Sequence, residues 1–381
     1  MTTPLLFFPD KPDWDVQTMR VAAEAMFGGA DVFECREVVR RIRADGSSEA
    51  SWRTHWSALA QSLIDAGGSG AGASAPTSKT IGERAGRASN YFRTAEFFAP
   101  FLSDQRKVLF DAARAAFRRS IPELPVEVDI VSVPDGEVEY DGYVFRGRGA
   151  TAANPGPGVV MLGGADSYAE ELYFFGGCAL AERGMTVIVA DTPGRGSTLR
   201  HKGIISRPDY EHPAARVLDS LEALDFVDEE RMGLVGLSLG GYYAPRLAAA
   251  DDRVKALVCW CACFNVLEDV YEFCPPIQPQ LTWIVGAQDE SQARQRLAEF
   301  RLDDVAANIT CPTLISHGDA DTIMNVDGAR RLYQEIGAAD RHLKIWSGDG
   351  GGAGHCNYDA WPECLPYMFD WLASRLESAP A

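Results

Sequence analysis

The residues of this chain best suited to chemistry are Gly236-Leu237-Ser238-Leu239-Gly240-Gly241. They follow an apolar run, Met232 to Val235, and precede a helix-like stretch from Tyr242 to Ala250. A serine in such a strand-to-helix turn is held above the end of a strand and at the start of a helix. Glycines two places before and after it let the backbone turn without side-chain collision. A hydroxyl is a weak nucleophile until a base takes its proton, so a histidine oriented by a carboxylate must lie elsewhere in the chain. On an elbow of this kind the chain order is serine, acid, histidine.

Two later segments fit that order. After the apolar run Cys311-Pro-Thr-Leu-Ile-Ser comes His317-Gly-Asp-Ala-Asp321, and after Leu343-Lys-Ile-Trp comes a glycine-rich loop ending in Gly354-His355. Of the six histidines, His55 lies in an N-terminal helical region, His201 and His212 precede the serine, and His317 and His342 fall at strand edges. His355 alone has the required order and context. Asp321 is preferred to Asp319 as the acid because it lies deeper in its loop, with Asp319 read as a turn former and His317 as structural. Acyl transfer also needs two backbone N–H groups aimed at the developing oxyanion. Leu239, immediately after the serine, supplies one. The loop Gly163-Gly164-Ala165-Asp166-Ser167, which follows Val159-Val-Met-Leu, supplies the other, with Ala165 as the chosen amide. The expected reaction is cleavage of an acyl bond through an acyl-enzyme, with no metal or organic cofactor. An acyltransferase or cyclase would use the same triad with another nucleophile in place of water. A non-catalytic binding protein on the same scaffold is the rival from outside enzymology, and the intact triad disfavours it.

The elements that must position these residues are legible in the hydrophobic periodicity. From Trp14 to Ile121 apolar residues recur at three- and four-residue spacing, as in Val16 to Phe27, Trp52 to Ile64, Ile81 to Phe98 and Val108 to Phe117, which predicts helices. A break rich in Gly, Ala and Ser, residues 67–78, predicts a loop between two of them. After Pro122 the period changes. Val126 to Val133 alternates, Pro134-Asp-Gly makes a turn, and Glu137 to Phe145 alternates again, predicting a hairpin. Short apolar runs then alternate with helical segments: Val159 to Leu162, Thr186 to Ala190, Met232 to Val235, Ala256 to Cys263, Thr313 to Ser316 and Leu343 to Trp346. That is the pattern of a mostly parallel sheet covered by helices on both faces. The expected architecture is therefore an α/β-hydrolase fold over residues 122–381, preceded by an N-terminal helical cap over residues 1–121. Residues 265–307 are expected to form a helical insertion at the edge of the sheet that carries the chemistry. The aromatics of the helical region, Trp52, Trp56, Tyr91, Phe92, Phe97 and Phe98, are expected to help cover that edge. Tyr168, Tyr173, Tyr242, Tyr243, Trp260 and Trp283 fall near predicted active-site loops or the insertion and suit a flat, aromatic or polyketide-like acyl substrate.

Composition bounds the partners. At 381 residues, 46% hydrophobic and 24% charged, the chain is an ordinary globular protein with ample length for a core. Lys and Arg number 36 against 54 Asp and Glu, a formal charge of -18 that repels nucleic-acid phosphates and anionic lipid head groups. The opening residues carry no basic n-region, and no apolar run approaches the ~20 residues of a membrane helix, so a cytoplasmic location is expected. A small-molecule acyl substrate is then the expected partner, and a homodimer is the one assembly kept open. The nine cysteines show no paired spacing and read as free thiols. Cys259, Cys261 and Cys263 would share one face of a strand, ~7 Å apart, too far to hold a common metal.

These motifs in this order resemble a known family: α/β-hydrolases similar to the fermentation-respiration switch protein family, which includes 2,6-dihydroxypseudooxynicotine hydrolase and fungal polyketide-shortening hydrolases. The resemblance is carried by Asn90-Tyr-Phe-Arg-Thr-Ala-Glu-Phe-Phe, Gly163-Gly-Ala-Asp-Ser, Asp191-Thr-Pro-Gly-Arg-Gly, Arg207-Pro-Asp-Tyr-Glu, the elbow, and His317-Gly-Asp-Ala-Asp. It implies a helical cap, a triad matching Ser238, Asp321 and His355, and, in some members, hydrolysis of a carbon–carbon bond beside a ketone. It further implies an auxiliary acid in the loop after the third strand, where the pseudooxynicotine hydrolase carries a glutamate. The matching position here is Asp166, one methylene shorter.

Overall fold

A computed structural model describes residues 7–66, 75–348 and 350–377. The loop expected at 67–78 falls largely outside the described residues. The chain divides into two compact units: a helical one, Pro4–Val128 with Tyr173–Phe175, and a sheet one formed by Asp129–Leu172 and Gly176–Ala381. The first unit ends a few residues beyond the change of period at Pro122. A single 3-10 turn, Ile121–Glu123, continues the last helix, and the Glu123 side chain packs against Gly82 in the helix before it.

The helical unit contains α1 (Pro12–Ala23), α2 (Val32–Ala44), α3 (Glu49–Ala66), α4 (Ser78–Phe97) and α5 (Asp104–Ser120). Side chains just ahead of three of them satisfy N–H groups that a helix start leaves unpaired. Asp31 accepts from Phe33 and Glu34, Thr77 from Thr80, and Ser103 from Arg106. The core of the unit is largely aromatic. Trp52 is wholly buried and meets Phe8, Trp14, Trp56 and Phe98 at ring-centroid distances of 5.1–6.0 Å, while its indole N–H donates to the Thr94 carbonyl. Tyr91 stacks at 5.5 Å on Trp56 and donates its hydroxyl to Glu34. A buried ion pair, Arg106 to Glu96 at 3.0 Å, closes the α4–α5 corner.

The sheet unit is built on eight strands: β1 (Val128–Asp135), β2 (Val138–Phe145), β3 (Gly156–Leu162), β4 (Thr186–Ala190), β5 (Val227–Leu237), β6 (Val254–Trp260), β7 (Thr313–Gly318) and β8 (Arg341–Trp346). Their spatial order is β1-β2-β4-β3-β5-β6-β7-β8, with β2 antiparallel to β4 and parallel pairing from β4 through to β8. The central strands are buried on both faces, which is why they read as unbroken apolar runs rather than alternation. Each fully buried Val, Leu or Ile there contributes roughly 1.5–3 kcal/mol.

The register matters for the site. Leu162 lies opposite Gly236, Leu237 opposite Trp260, Trp260 opposite Ser316, and Gly318 opposite Trp346. The carboxyl ends of β3, β5, β6, β7 and β8 therefore stop side by side, and the loops that leave them share one edge of the sheet, where α/β folds place their ligands. Residues 265–307 are largely helical, with turns at Leu267–Glu272, Pro275–Ile277, Gln278–Ile284, Glu290–Leu297 and Ala306–Asn308. Among the described residues no helix is long and apolar enough to cross a membrane.

One strand is shorter than expected. β6 ends at Trp260 instead of running on to Cys263, because Cys261 adopts φ 63 and its N–H turns to the Ser316 carbonyl at 2.7 Å. The three cysteines therefore do not lie in a row on one strand face.

Candidate active site

Ser238 sits where β5 turns into the helix Gly240–Ala250, at φ 55, a left-handed conformation that non-glycine residues rarely adopt. Two things hold it there. Its N–H bonds the Trp260 carbonyl at 2.8 Å, and its own carbonyl accepts from Gly241 at 2.7 Å. The turn is tight enough that a Cβ on Gly240 would collide with the Leu162 carbonyl. Ser238 remains half-buried.

The strand ends bring two of the other expected residues to it. Ser238 Oγ lies 3.0 Å from His355 Nε2, and His355 Nδ1 lies 2.7 Å from Asp321 Oδ2. The carboxylate can only accept, so Nδ1–H donates to it and Nε2 is left to accept from the serine hydroxyl. Asp321 Oδ1 accepts the N–H groups of Ile323 and Met324 at 2.8 and 2.9 Å. Asp319, by contrast, is exposed and engages through its N–H to the Trp346 carbonyl.

Burial by itself would raise the carboxyl pKa of Asp321, but His355 and His317 beside it hold it well below the usual carboxylate range. Burial likewise disfavours a charged His355, and the Asp321 carboxylate outweighs it, pushing the imidazole pKa up. The loop bearing His355 is pinned at the next residues. Cys356 N–H donates to Cys261 Sγ at 3.1 Å, its carbonyl accepts the Trp361 indole at 2.9 Å, and Asn357 Oδ1 accepts the Trp260 indole at 2.9 Å.

The glycine-rich loop after β3 borders the serine. A Cβ on Gly164 would stand 2.9 Å from Ser238 Cβ and 3.0 Å from its Oγ, so any side chain there would crowd the serine. Gly164 N–H donates to Ser167 Oγ at 3.0 Å, so that amide is engaged within the loop, and Ala165 follows it directly. Leu239 begins the helix that follows the serine. Asp166 lies half-buried in the same loop.

Two side chains that the sequence did not single out hold this loop. The Arg195 guanidinium, buried against the packed rings of Tyr210 and Tyr243, donates to the Gly163 carbonyl. Gln280, from the insertion, donates to the Ala165 carbonyl at 3.1 Å. Arg195 stands in the Asp191-Thr-Pro-Gly-Arg-Gly motif at the end of β4, a signal that could have pointed to it; Gln280 carries no comparable signal.

Of the aromatics expected near the site, Tyr242 and Tyr243 are buried, with hydroxyls bonded to the Pro208 carbonyl and Ser206, and Trp260 packs on Trp361. Tyr173 belongs to the helical unit, against Phe117. Tyr168 and Trp283 flank the Arg200 guanidinium.

Among the described residues, two groups of side chains bring possible metal-ligand atoms within 4.8 Å of one another: Cys261, His355 and Cys356, and Cys261, His317 and Asp321. Burial raises the Cys261 thiol well above its ordinary pKa, so it keeps its proton. His355 of the first group is already engaged with Ser238 and with Asp321 of the second, and Asp321 with His317, so these ligand atoms serve one another.

Comparison with known proteins places the fold and the family. Residues 172–355, a span that contains Ser238, Asp321 and His355, match the prolyl oligopeptidase family. The 2,6-dihydroxy-pseudo-oxynicotine hydrolase structure shares the fold, with a TM-score of 0.79 and 23% identity over 94% of this chain and 98% of that one. The 20-hydroxy-prefusarin hydrolase FUS2 of Gibberella moniliformis is 28% identical over 418 residues, covering 95% of this chain and 96% of that protein. The hydrolase acrC of Aspergillus aculeatus is 31% identical over 419 residues, covering 94% of this chain and 95% of acrC. Identity at that level, sustained over nearly all of both proteins, makes this chain a member of the α/β-hydrolase family to which acrC belongs.

Proposed function

We propose that the protein is a cytoplasmic serine hydrolase that cleaves an acyl bond in a small molecule through an acyl-enzyme on Ser238. The observation that carries the reading is the continuous relay from Ser238 Oγ through His355 to Asp321, at 3.0 and 2.7 Å, on a left-handed elbow. Ser238 Oγ attacks the substrate carbonyl carbon while His355 Nε2 takes its proton, and Asp321 stabilises the imidazolium that results. The N–H groups of Leu239 and Ala165 stabilise the oxyanion, each contributing roughly 2.7–4 kcal/mol at the transition state. Collapse of the intermediate expels the leaving group, which takes the proton from His355. Water, activated by the same histidine, then releases the acid.

The bond cleaved is an ester, or a carbon–carbon bond beside a ketone in an aromatic or polyketide-like substrate. Expulsion of carbon requires a stabilised carbanion such as an enolate, and Asp166 is the residue of the loop best placed in sequence to assist it. The similarity to FUS2, named for 20-hydroxy-prefusarin, supports a large ketide-type substrate.

A fluorophosphonate probe followed by peptide mass mapping tests the nucleophile. Labelling is expected at Ser238 and absent in Ser238→Ala. A panel of esters, thioesters and β-diketones then assigns the bond, with Asp166→Asn expected to slow β-diketone cleavage more than ester hydrolysis. Turnover by folded Ser238→Ala at the wild-type rate would refute the mechanism.

A further inference from the structure

His317 was read from the sequence as structural, and its surroundings in the folded chain argue for more. It closes β7, is wholly buried, and its Nε2 lies 3.1 Å from the Met324 carbonyl and 3.3 Å from Asp321 Oδ2. A carbonyl can only accept, so Nε2 carries the hydrogen and shares it between the two oxygens. Asp321 Oδ2, the oxygen that meets His355, therefore has two imidazole donors, while Oδ1 is filled by the N–H groups of Ile323 and Met324.

We infer that His317 is a positioning residue for the general base, acting through Asp321: it fixes the carboxylate plane and withdraws part of the charge that Asp321 presents to His355. The inference rests on the serine-hydrolase reading above. His317 Nδ1 has no hydrogen-bond partner among the described residues, a cost that an apolar side chain at this buried position would not carry. What offsets it is the work of Nε2. Three of the four donors on Asp321 come from its own loop and from His355; His317 is the one anchored in a strand, so it ties the loop to the rigid sheet.

The sign of the electronic effect follows from the hydrogen bonds. Besides Asp321, the titratable side chains against His355 are the buried thiols of Cys261 and Cys356 and the Tyr358 ring, edge-on at 6.2 Å. Removing the His317 N–H leaves the full charge of Oδ2 on His355. That stabilises the imidazolium, raises the pH at which His355 becomes a free base, and lets the carboxylate swing.

The test uses the full-length protein, an activated ester such as p-nitrophenyl butyrate, and rates normalised to the sites that a fluorophosphonate labels. His317→Asn stays polar but is too short to reach Asp321, whereas His317→Gln places an amide N–H near the position of Nε2. His317→Asn is expected to lower kcat roughly tenfold with KM changed less than about twofold, and to move the acid limb of the rate profile up by about half a pH unit or more. His317→Gln is expected to recover much of both.

A His317→Asn profile that superimposes on wild type, or a Gln variant no nearer to wild type than Asn, overturns the inference. His317→Leu replaces Asn should the latter not fold, and failure of both to fold would assign His317 to stability and overturn it equally. Wild-type protein that is not labelled at Ser238 would instead overturn the serine-hydrolase reading, so the two failures are distinguishable.

Discussion

Both units of the molecule hold non-glycine residues in left-handed backbone conformations, and they do so for different purposes. In the helical unit these are Ser47 at φ 51, just past the end of α2, and Leu102 at φ 61, just past α4, with Leu102 80% exposed. Such turns end helices locally and need little from the rest of the fold. In the sheet unit they are Ser238, Cys261, Cys356 and Asn357, half-buried or buried, and all gathered where β5, β6 and the loop after β8 end. A conformation of this kind costs roughly 1–3 kcal/mol and persists only where its surroundings over-determine it. Here neighbouring strand ends do so, as Trp260 holds Ser238 and Ser316 holds Cys261. The helical unit is thus specified by what its side chains bury, and the chemical edge of the sheet by what adjacent strands impose on each other.

The largest effect that would sharpen this contrast is at Asp321. Asp321→Asn is expected to lower kcat by about 10⁴-fold, because the amide no longer selects the histidine tautomer that can accept from serine. Exposed Asp319→Asn is expected to stay within about threefold. Loss of the carboxylate also removes the main influence raising the His355 pKa, so burial weighs more heavily against the charged form. Since His355 acts as a base only when neutral, the acid limb of kcat/KM should move to lower pH. An upward shift, or a larger effect at Asp319, would show that the strand ends assemble a different acid.

The next effect is on stability rather than rate. Trp52→Ala, in the aromatic core of the helical unit, is expected to cost about 3–5 kcal/mol in urea denaturation, while the folded protein still labels at Ser238. A variant as stable as wild type would break the claim that buried rings specify this unit. The smallest effect is expected at Arg195→Met, which removes the donor to the Gly163 carbonyl and loosens the oxyanion loop. kcat should fall roughly tenfold with the labelled fraction unchanged. An unaltered kcat would mean that the Gly164–Ser167 bond and Gln280 hold the loop without Arg195.

Much of this was legible in the chain itself. Strands buried on both faces leave continuous apolar runs, which made six strands visible, alternation showed the β1–β2 hairpin, and the glycine spacing around Ser238 announced its turn. Where β6 ends was not visible. Val-Cys-Trp-Cys-Ala-Cys-Phe has the composition of a strand throughout, and only the pull of Ser316 on the Cys261 N–H ends it. Which carbonyls of the loop after β3 Arg195 and Gln280 hold was equally hidden, although a motif marked Arg195 itself. Arg195 stands 32 residues from Gly163 and Gln280 stands 115 from Ala165, separations over which residue type alone gives no sign of contact.

The sequence by itself determined the elements and their order, the nucleophile candidate, and the position of the histidine, because backbone sterics and burial act over a few residues and leave local patterns. The tertiary structure decided which of two aspartates faces His355, that His317 shares the same carboxylate oxygen, and which side chains brace the loop beside Ser238. Those outcomes depend on strand register, which places the ends of β3, β5, β6, β7 and β8 side by side. Register is set by pairing between segments far apart in the chain, so no local pattern records it.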